Sequence, residues 1–334
     1  MGPTIKDVAK KANVSVATVS RVLNNQPGYS EKTKKKVLQV IEEMGYQPNA
    51  IARGLINKRT QTIGVLFPSV SSMFSSGVLH GIEHTAHERD HSVIVCNTDE
   101  DGKRTMKYLQ VLREKQVDGI IFTSEVMKEE YYNALTMMNI PVVLLATSSV
   151  RYPFPFVKVD DKQAAYSATE YLIKKGHRKI AMISGTEEDP IAGTPRIEGY
   201  REALGDYGIP FQKNLLVFGD FGYRSGRIAM EKLLQTKAEF SAVFAASDEM
   251  AAGAINVAYQ HGIKVPDHLS VIGYDNLQIA EMSVPPLTTV AQPLFEMGKL
   301  AAEMLLTMIE TGTRVESRIM PHTIIERQSV AQLS

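Results

Sequence analysis

The stretch "VSVATVSRVLNN", residues 14–25, places one arginine among short hydroxyl and methyl side chains at helical spacing. The guanidinium of Arg21 can donate two hydrogen bonds to O6 and N7 of a guanine. Val16 and Ala17 are short and apolar, suited to van der Waals contact with thymine methyls. Thr4, Thr18, Ser20 and Asn24 carry short polar groups of the kind that hold phosphates. A second set is collected from the ends of β-rich runs: Ser69, Phe74, Asp189, Phe221, Ser247, Asp248 and Asp275. Open α/β sheets bind ligands beyond the carboxyl ends of their strands. Carboxylates and hydroxyls beside aromatic rings suit a polyhydroxylated ligand, with hydrogen bonds to its hydroxyls and stacking on its C–H face.

The first set needs helices to position it. Thr4 and Asp7 mark a helix start. "IKDVAKKA" puts Ile5, Val8, Ala9 and Ala12 on one face. "NVS" reads as a tight turn, and Ser15 caps a second helix, "VATVSRVL", that buries Val19, Val22 and Leu23. The small Ala9 allows the two helices to cross, and Val14 plugs the turn. The opposite face of the second helix is free to enter a DNA groove, as in a helix-turn-helix unit; a three-helix bundle without a DNA role fits the same pattern. Ser30 caps a third helix, "EKTKKKVLQVIEEM", and Gly45 ends it. Pro48 opens a short fourth helical pattern, "PNAIARGLIN". "KRTQT" reads as a linker.

From residue 62 short apolar runs alternate with helical stretches, which predicts parallel strands covered on both faces. The runs restart near residue 179, so two similar doubly wound lobes are expected behind an all-α head. The expected bounds are 1–47 for the head and 48–60 for a hinge helix and linker. Segments 61–161 and 289–320 form the first lobe, and 162–288 and 321–334 the second. Charge follows this division. Net charge is zero, but residues 1–60 carry eleven basic and four acidic side chains, leaving 26 basic and 33 acidic in the rest. A basic head on an acidic body directs only the head to a polyanion.

Other chemistries lack their motifs. There is no G-x-S-x-G nucleophile elbow after a strand, no P-loop and no G-x-G-x-x-G. An enzyme is not expected, and no cofactor. His80, His84 and His87 share a helix face, but no cysteine or paired carboxylate completes a metal site; a surface or dimer-interface role is expected instead. The single cysteine, Cys96, reads as a core residue on a strand and fits a reducing cytosol. No run of apolar residues long enough for a membrane span occurs. The expected location is the cytoplasm.

"TIKDVAKKANVSVATVSRVLNN" followed by "VLQVIEEMGYQPNAIARGL" closely resembles the lactose/galactose repressor (LacI/GalR) family of bacterial regulators, near its catabolite control and sugar-repressor branch. The resemblance spans the whole chain and implies a homodimeric repressor on a palindromic operator. It makes "PNAIARGL" a hinge helix that folds in the minor groove, with Leu55 as the wedge and Asn49, Ala52 and Arg53 along the groove or phosphates. It places Arg196 as a donor to sugar hydroxyls, Asp275 as an acceptor, Phe221 as the stacking ring and Gln292 in the pocket or crossover. Ser247 departs from the asparagine common at its position, which leaves the ligand open. Asp248 and Asp275 also fit plain helix or loop caps, and Arg196 a surface helix position. The effector expected is a sugar, such as a disaccharide or maltodextrin, or a sugar phosphate. A periplasmic-type sugar carrier shares the body fold, but the DNA head and the lack of a signal sequence oppose it. A phosphorylated HPr-type phosphocarrier is the rival partner. That branch has a tyrosine where Phe295 stands and an arginine where Glu303 stands. An acidic side chain facing a phosphoserine repels it, so the small effector is preferred. The tail "ERQSVAQLS" lacks a leucine heptad, which predicts a dimer.

Overall fold

The computed structural model describes residues 2–23, 26–46, 59–99, 102–236 and 238–333. The chain divides into two units, Met1–Gln61 and Thr62–Ser334.

The first unit holds helices α1 (Ile5–Ala12), α2 (Val16–Leu23) and α3 (Glu31–Met44). Local chemistry fixes their ends. The Asp7 carboxylate accepts from the Thr4 backbone N–H at 2.8 Å and from its hydroxyl at 2.6 Å. Asn13 leaves α1 in left-handed backbone (φ 52°), a conformation asparagine tolerates better than most residues. Ser15 and Ser30 accept from the Thr18 and Thr33 amides, satisfying first-turn donors of α2 and α3. Val8, Ala12, Val19 and Val37 are fully buried at the centre. Full burial of each valine contributes about 1.5–3 kcal/mol, which for so small a unit is a large share of its stability.

The second unit contains two six-stranded sheets. The first has β1 (Thr62–Phe67), β2 (Ser92–Asn97), β3 (Gly119–Thr123), β4 (Val142–Leu145), β5 (Phe156–Val159) and β11 (Arg318–Met320), in the order β11-β5-β4-β3-β1-β2. All its recorded pairings are parallel. Helices α4 (Met73–Glu88), α5 (Thr105–Glu114) and α6 (Glu129–Met138) alternate with these strands. The second sheet has β6 (Ile180–Ser184), β7 (Leu216–Phe218), β8 (Ala242–Ala245), β9 (Ser270–Asp275), β10 (Thr288–Ala291) and β12 (Thr323–Ile325). Its order is β12-β10-β9-β8-β6-β7, with β12 antiparallel to β10. Helices α7 (Asp161–Lys174), α8 (Gly193–Asp206), α9 (Tyr223–Gln235), α10 (Asp248–Gln260) and α11 (Gln278–Met282) accompany it.

The chain crosses between lobes three times: after β5, after β10 and between β11 and β12. The expected start of the returning segment at residue 289 is corrected here. Thr288 to Ala291 pair with Ile272 to Asp275, so β10 belongs to the second sheet. The segment that returns to the first lobe begins with α12 (Leu294–Thr311), which packs on α4, β3 and β4. An apolar strand gives no sign of which of two sheets it joins, because both cores offer it the same burial. Cys96 pairs across from Leu66 and is buried, which pushes its thiol up to about 11.

Candidate functional site

On the head, α2 separates two faces. Val19 and Val22 are buried, while Val16, Ala17 and Arg21 are exposed and Thr18 and Ser20 lie between. The Arg21 guanidinium lies over Gly28: a Cβ built there falls 3.1 Å from Nη1. Two of the short hydroxyls are engaged at helix starts. Thr4 donates to Asp7, and the Thr18 and Ser15 hydroxyls are 2.9 Å apart. A phosphate would meet them as parts of caps, not as free donors. Asn24, Asn49, Ala52, Arg53 and Leu55 lie outside the described residues.

In the second lobe the structure gathers Arg196, Phe221, Ser247, Asp275 and Gln292 around strand ends. Arg196, on α8, is only 5% exposed. Its Nε and Nη2 donate to Asp161 Oδ1 at 3.0 and 2.8 Å, and its Nη1 to the Ala246 carbonyl at 2.6 Å. The guanidinium stacks 3.6 Å from the centroid of Tyr274 and 5.7 Å from that of Phe221. The Phe221 ring covers Gly185, where no side chain would fit. Ser247 caps α10 through the Met250 amide (3.1 Å) and donates to the Phe221 carbonyl (2.6 Å), tying two loops together. Asp275 accepts from Gln292 Nε2 at 2.7 Å. Phe221 and Asp275 both have positive φ, 67° and 107°. Such backbone costs on the order of 1–3 kcal/mol per residue and persists only where its surroundings impose it.

Burial dominates the electrostatics. It raises the Asp275 carboxyl to about 7, against the opposing pull of Arg196 and the Gln292 bond. Asp248 is fully buried and is pushed well above the carboxylate range by desolvation and by Asp275. It does not cap its own helix; it accepts from the Leu277 amide at 2.7 Å and the Thr289 hydroxyl at 2.5 Å, linking α10 to the start of α11 and to β10. Its role is therefore to join three elements of the second lobe.

The remaining candidates stand apart. Asp189 accepts from the amides of Ile191, Ala192 and Gly193 at 3.0, 3.1 and 2.8 Å, filling the amino end of α8. Ser69 is in the first lobe, its hydroxyl 3.2 Å from that of Ser71 and its carbonyl accepting from Ser75. Phe74 is partly buried against the core. A cavity of about 620 Å³ lies between the lobes, lined by Met73, Ser76 and Gly77 on one side and Asn276 to Gln278 on the other. Of the predicted residues only Gln292 lines it. The chemistry is concentrated at Arg196 and Asp275, so the cavity borders the polar cluster instead of containing it.

Asp161, the buried carboxylate that pairs with Arg196, is the cluster residue that sequence reasoning misses. It stands in "VKVDD", at the carboxyl end of β5, a strand end with the same claim to the cleft as those that were collected. Lys158 reaches its second oxygen at 3.5 Å. Among the histidines, His80 and His84 pack against Phe295, with centroids 5.1 and 5.6 Å apart, and His84 meets Glu88 at 3.3 Å. Among the described residues no group of three or more His, Cys, Asp or Glu could hold a metal ion, and no helix is long and apolar enough to cross a membrane.

A helix-turn-helix head and a two-lobed body with a polar cluster at its strand ends define a ligand-responsive DNA-binding regulator. Comparison with known proteins agrees. Residues 4–49 match the family model "Bacterial regulatory proteins, lacI family", and residues 60–328 match "Periplasmic binding proteins and sugar binding domain of LacI family". Catabolite control protein A of Priestia megaterium is 42% identical over 331 residues, covering 98% of this chain and 99% of that protein. A structure described as a transcriptional regulator CelR-cellobiose complex is 32% identical, with a TM-score of 0.75 over 98% of this chain and 99% of that one. The Lac repressor dimer bound to operator and the anti-inducer ONPF is 26% identical, with a TM-score of 0.90 over 99% and 100%. The chain belongs to the LacI family of transcriptional regulators.

Proposed function

We propose that the protein is a homodimeric repressor of carbohydrate-metabolism genes, acting in the cytoplasm, that releases or grips a palindromic operator according to a sugar bound between its lobes. The observation that carries this reading is the Asp161–Arg196–Ala246 arrangement beside Asp275–Gln292. It is a buried polar cluster of second-lobe strand ends and the crossovers, in a chain whose other unit exposes a DNA-reading helix face. Two heads related by a two-fold axis match two operator half-sites. Arg21, Val16 and Ala17 read base edges in the major groove, and Thr4, Thr18, Ser20 and Asn24 hold phosphates. Asn49, Ala52 and Arg53 follow the minor groove, and paired Leu55 side chains wedge the central step, a device that kinks the duplex. Arg196 and Asp275 bond ligand hydroxyls, Phe221 stacks on the ring, Gln292 holds Asp275 at the cavity wall, and Ser247 holds the Phe221 loop. Sugar affinity that differs between two lobe arrangements couples the cleft to the heads.

The test is paired. Leu55→Ala should lose most operator-specific affinity in fluorescence anisotropy while keeping salt-sensitive nonspecific binding; unchanged operator affinity removes the wedge. Arg196→Ala should leave operator binding intact and abolish the response to sugars. Binding of serine-phosphorylated HPr, with no sugar bound, would replace sugar control with control by a protein partner.

A further inference from the structure

This inference rests on the sugar-sensor reading and narrows it. We infer that the cleft takes an uncharged polyhydroxylated ligand and discriminates against the same ligand carrying a phosphate. The two cations of the polar cluster, Arg196 and Lys158, and several of the amides around the cleft are already engaged by carboxylates of the protein itself. Arg196 presents its Nε–Nη2 edge, the one suited to a bidentate oxyanion, to Asp161 Oδ1 at 3.0 and 2.8 Å. Lys158 takes Asp161 Oδ2 at 3.5 Å. The Gly193 amide that opens α8, a natural anion seat, and the Ile191 and Ala192 amides just before it close on Asp189 at 2.8–3.1 Å. At the start of α9 the Gly222 amide donates to Asp220 at 2.9 Å. At the start of α4, in the first lobe, the Met73 amide donates across the cleft to Glu249 at 3.3 Å.

A phosphate entering beside Arg196 would have to displace the buried Asp161 carboxylate and leave it next to a dianion. Asp275 has one oxygen not engaged by Gln292, and in its ionised form it adds to that repulsion. A neutral sugar meets no such conflict. Three of the five N–H groups of Arg196 are used. The two left over, one on each Nη atom, belong to a charge-compensated fork, whose chemistry suits hydroxyl oxygens better than an oxyanion. Asp275 and the Asp161–Tyr274 pair supply acceptors for the hydroxyl protons.

The experiment is calorimetric titration of the full-length dimer with ribose, glucose, maltose and cellobiose, each beside its monophosphate. The expected result is heat of binding from at least one free sugar, with its phosphate at least about tenfold weaker. A phosphate that binds as tightly as its parent sugar, or tighter, overturns the inference while leaving a sugar sensor in place. No binding by either form, or parental binding by Arg196→Ala, fails the sensor reading itself, and the inference with it. Asp161→Asn gives an independent arm, because it keeps the acceptor oxygen and removes the charge. It is expected to narrow the preference by strengthening the phosphate. An unchanged ratio in that variant would overturn the charge-compensation argument.

Discussion

Asp275 is a carboxyl that folding makes harder to ionise. Burial raises it from an ordinary 3.8 to about 7, and the groups facing it are Arg196, Gln292, Asp161 and Glu249. The sign follows from linkage. Between about pH 4 and 7 the folded protein holds a proton there that the unfolded chain has released, so stability falls as pH rises through that window and levels off above it. Thermal unfolding of the unliganded body is expected to show a Tm that declines from pH 5 to 7. Asp275→Asn should flatten that decline, and an identical slope in the variant would rule out Asp275 as its source. Asp161 is the buried partner of the Arg196 guanidinium. Removing it as Asp161→Ala strands a buried guanidinium, a loss of about 3–5 kcal/mol for a broken buried pair. Replacing Arg196 as Arg196→Met, which takes the charge with it but keeps much of the volume, is expected to cost less in chemical denaturation, though Asp161 is then left to Lys158 and Tyr274. Asp161→Ala proving the milder change would contradict the pairing.

Helices α4 and α12 meet backbone to backbone. A Cβ on Gly81 would fall 2.0 Å from the Phe295 carbonyl, and one on Gly298 would fall 2.0 Å from that of Val78. Gly298→Ala is therefore expected to destabilise by about 1–3 kcal/mol, since overpacking must push two helices apart, even though alanine is the better helix former. A raised denaturation midpoint would refute the clamp. This contact was illegible in the sequence for a physical reason. Glycine inside a helical pattern reads as a weak position, and nothing local says that a helix two hundred residues away presses on it. The head was legible because its determinants are local: Thr4 with Asp7, Ser15 with Thr18, and valines at helical spacing. The alternation of strands and helices was equally local. The cleft was read in part. Phe221 and Asp275 follow from their strand ends and Arg196 and Gln292 only from the resemblance, whereas Asp161 escapes notice because its partner lies 35 residues on and the strand it follows is short. Ser247 was named for a ligand, yet its hydroxyl already serves the Phe221 carbonyl. Ser247→Ala should therefore loosen the Phe221 loop and lower stability by about 1 kcal/mol, and stability unchanged in urea would sink that structural role.

At the scale of the molecule, charge and connectivity divide the work. Eleven of the 37 basic residues fall in the first 60, and the rest of the chain is acidic on balance. Operator affinity is expected to fall by about 10³ or more between 50 and 200 mM salt if six or more phosphates are engaged. Ligand affinity in the cleft should barely respond, because its charges are paired and buried. Equal salt slopes for both would contradict the division. The threefold crossing of the chain reaches beyond ligand response. The first lobe lacks a core helix until Leu294–Thr311 is made, and an edge strand until Arg318–Met320. On the ribosome, where domains ordinarily fold as they emerge, this lobe must wait for nearly the whole polypeptide. The three head helices, complete by Met44, have no such wait. A growing chain thus carries finished DNA-reading helices long before it has a body with which to regulate them. Premature termination anywhere between Met44 and Met320 would release that head without a properly built first lobe.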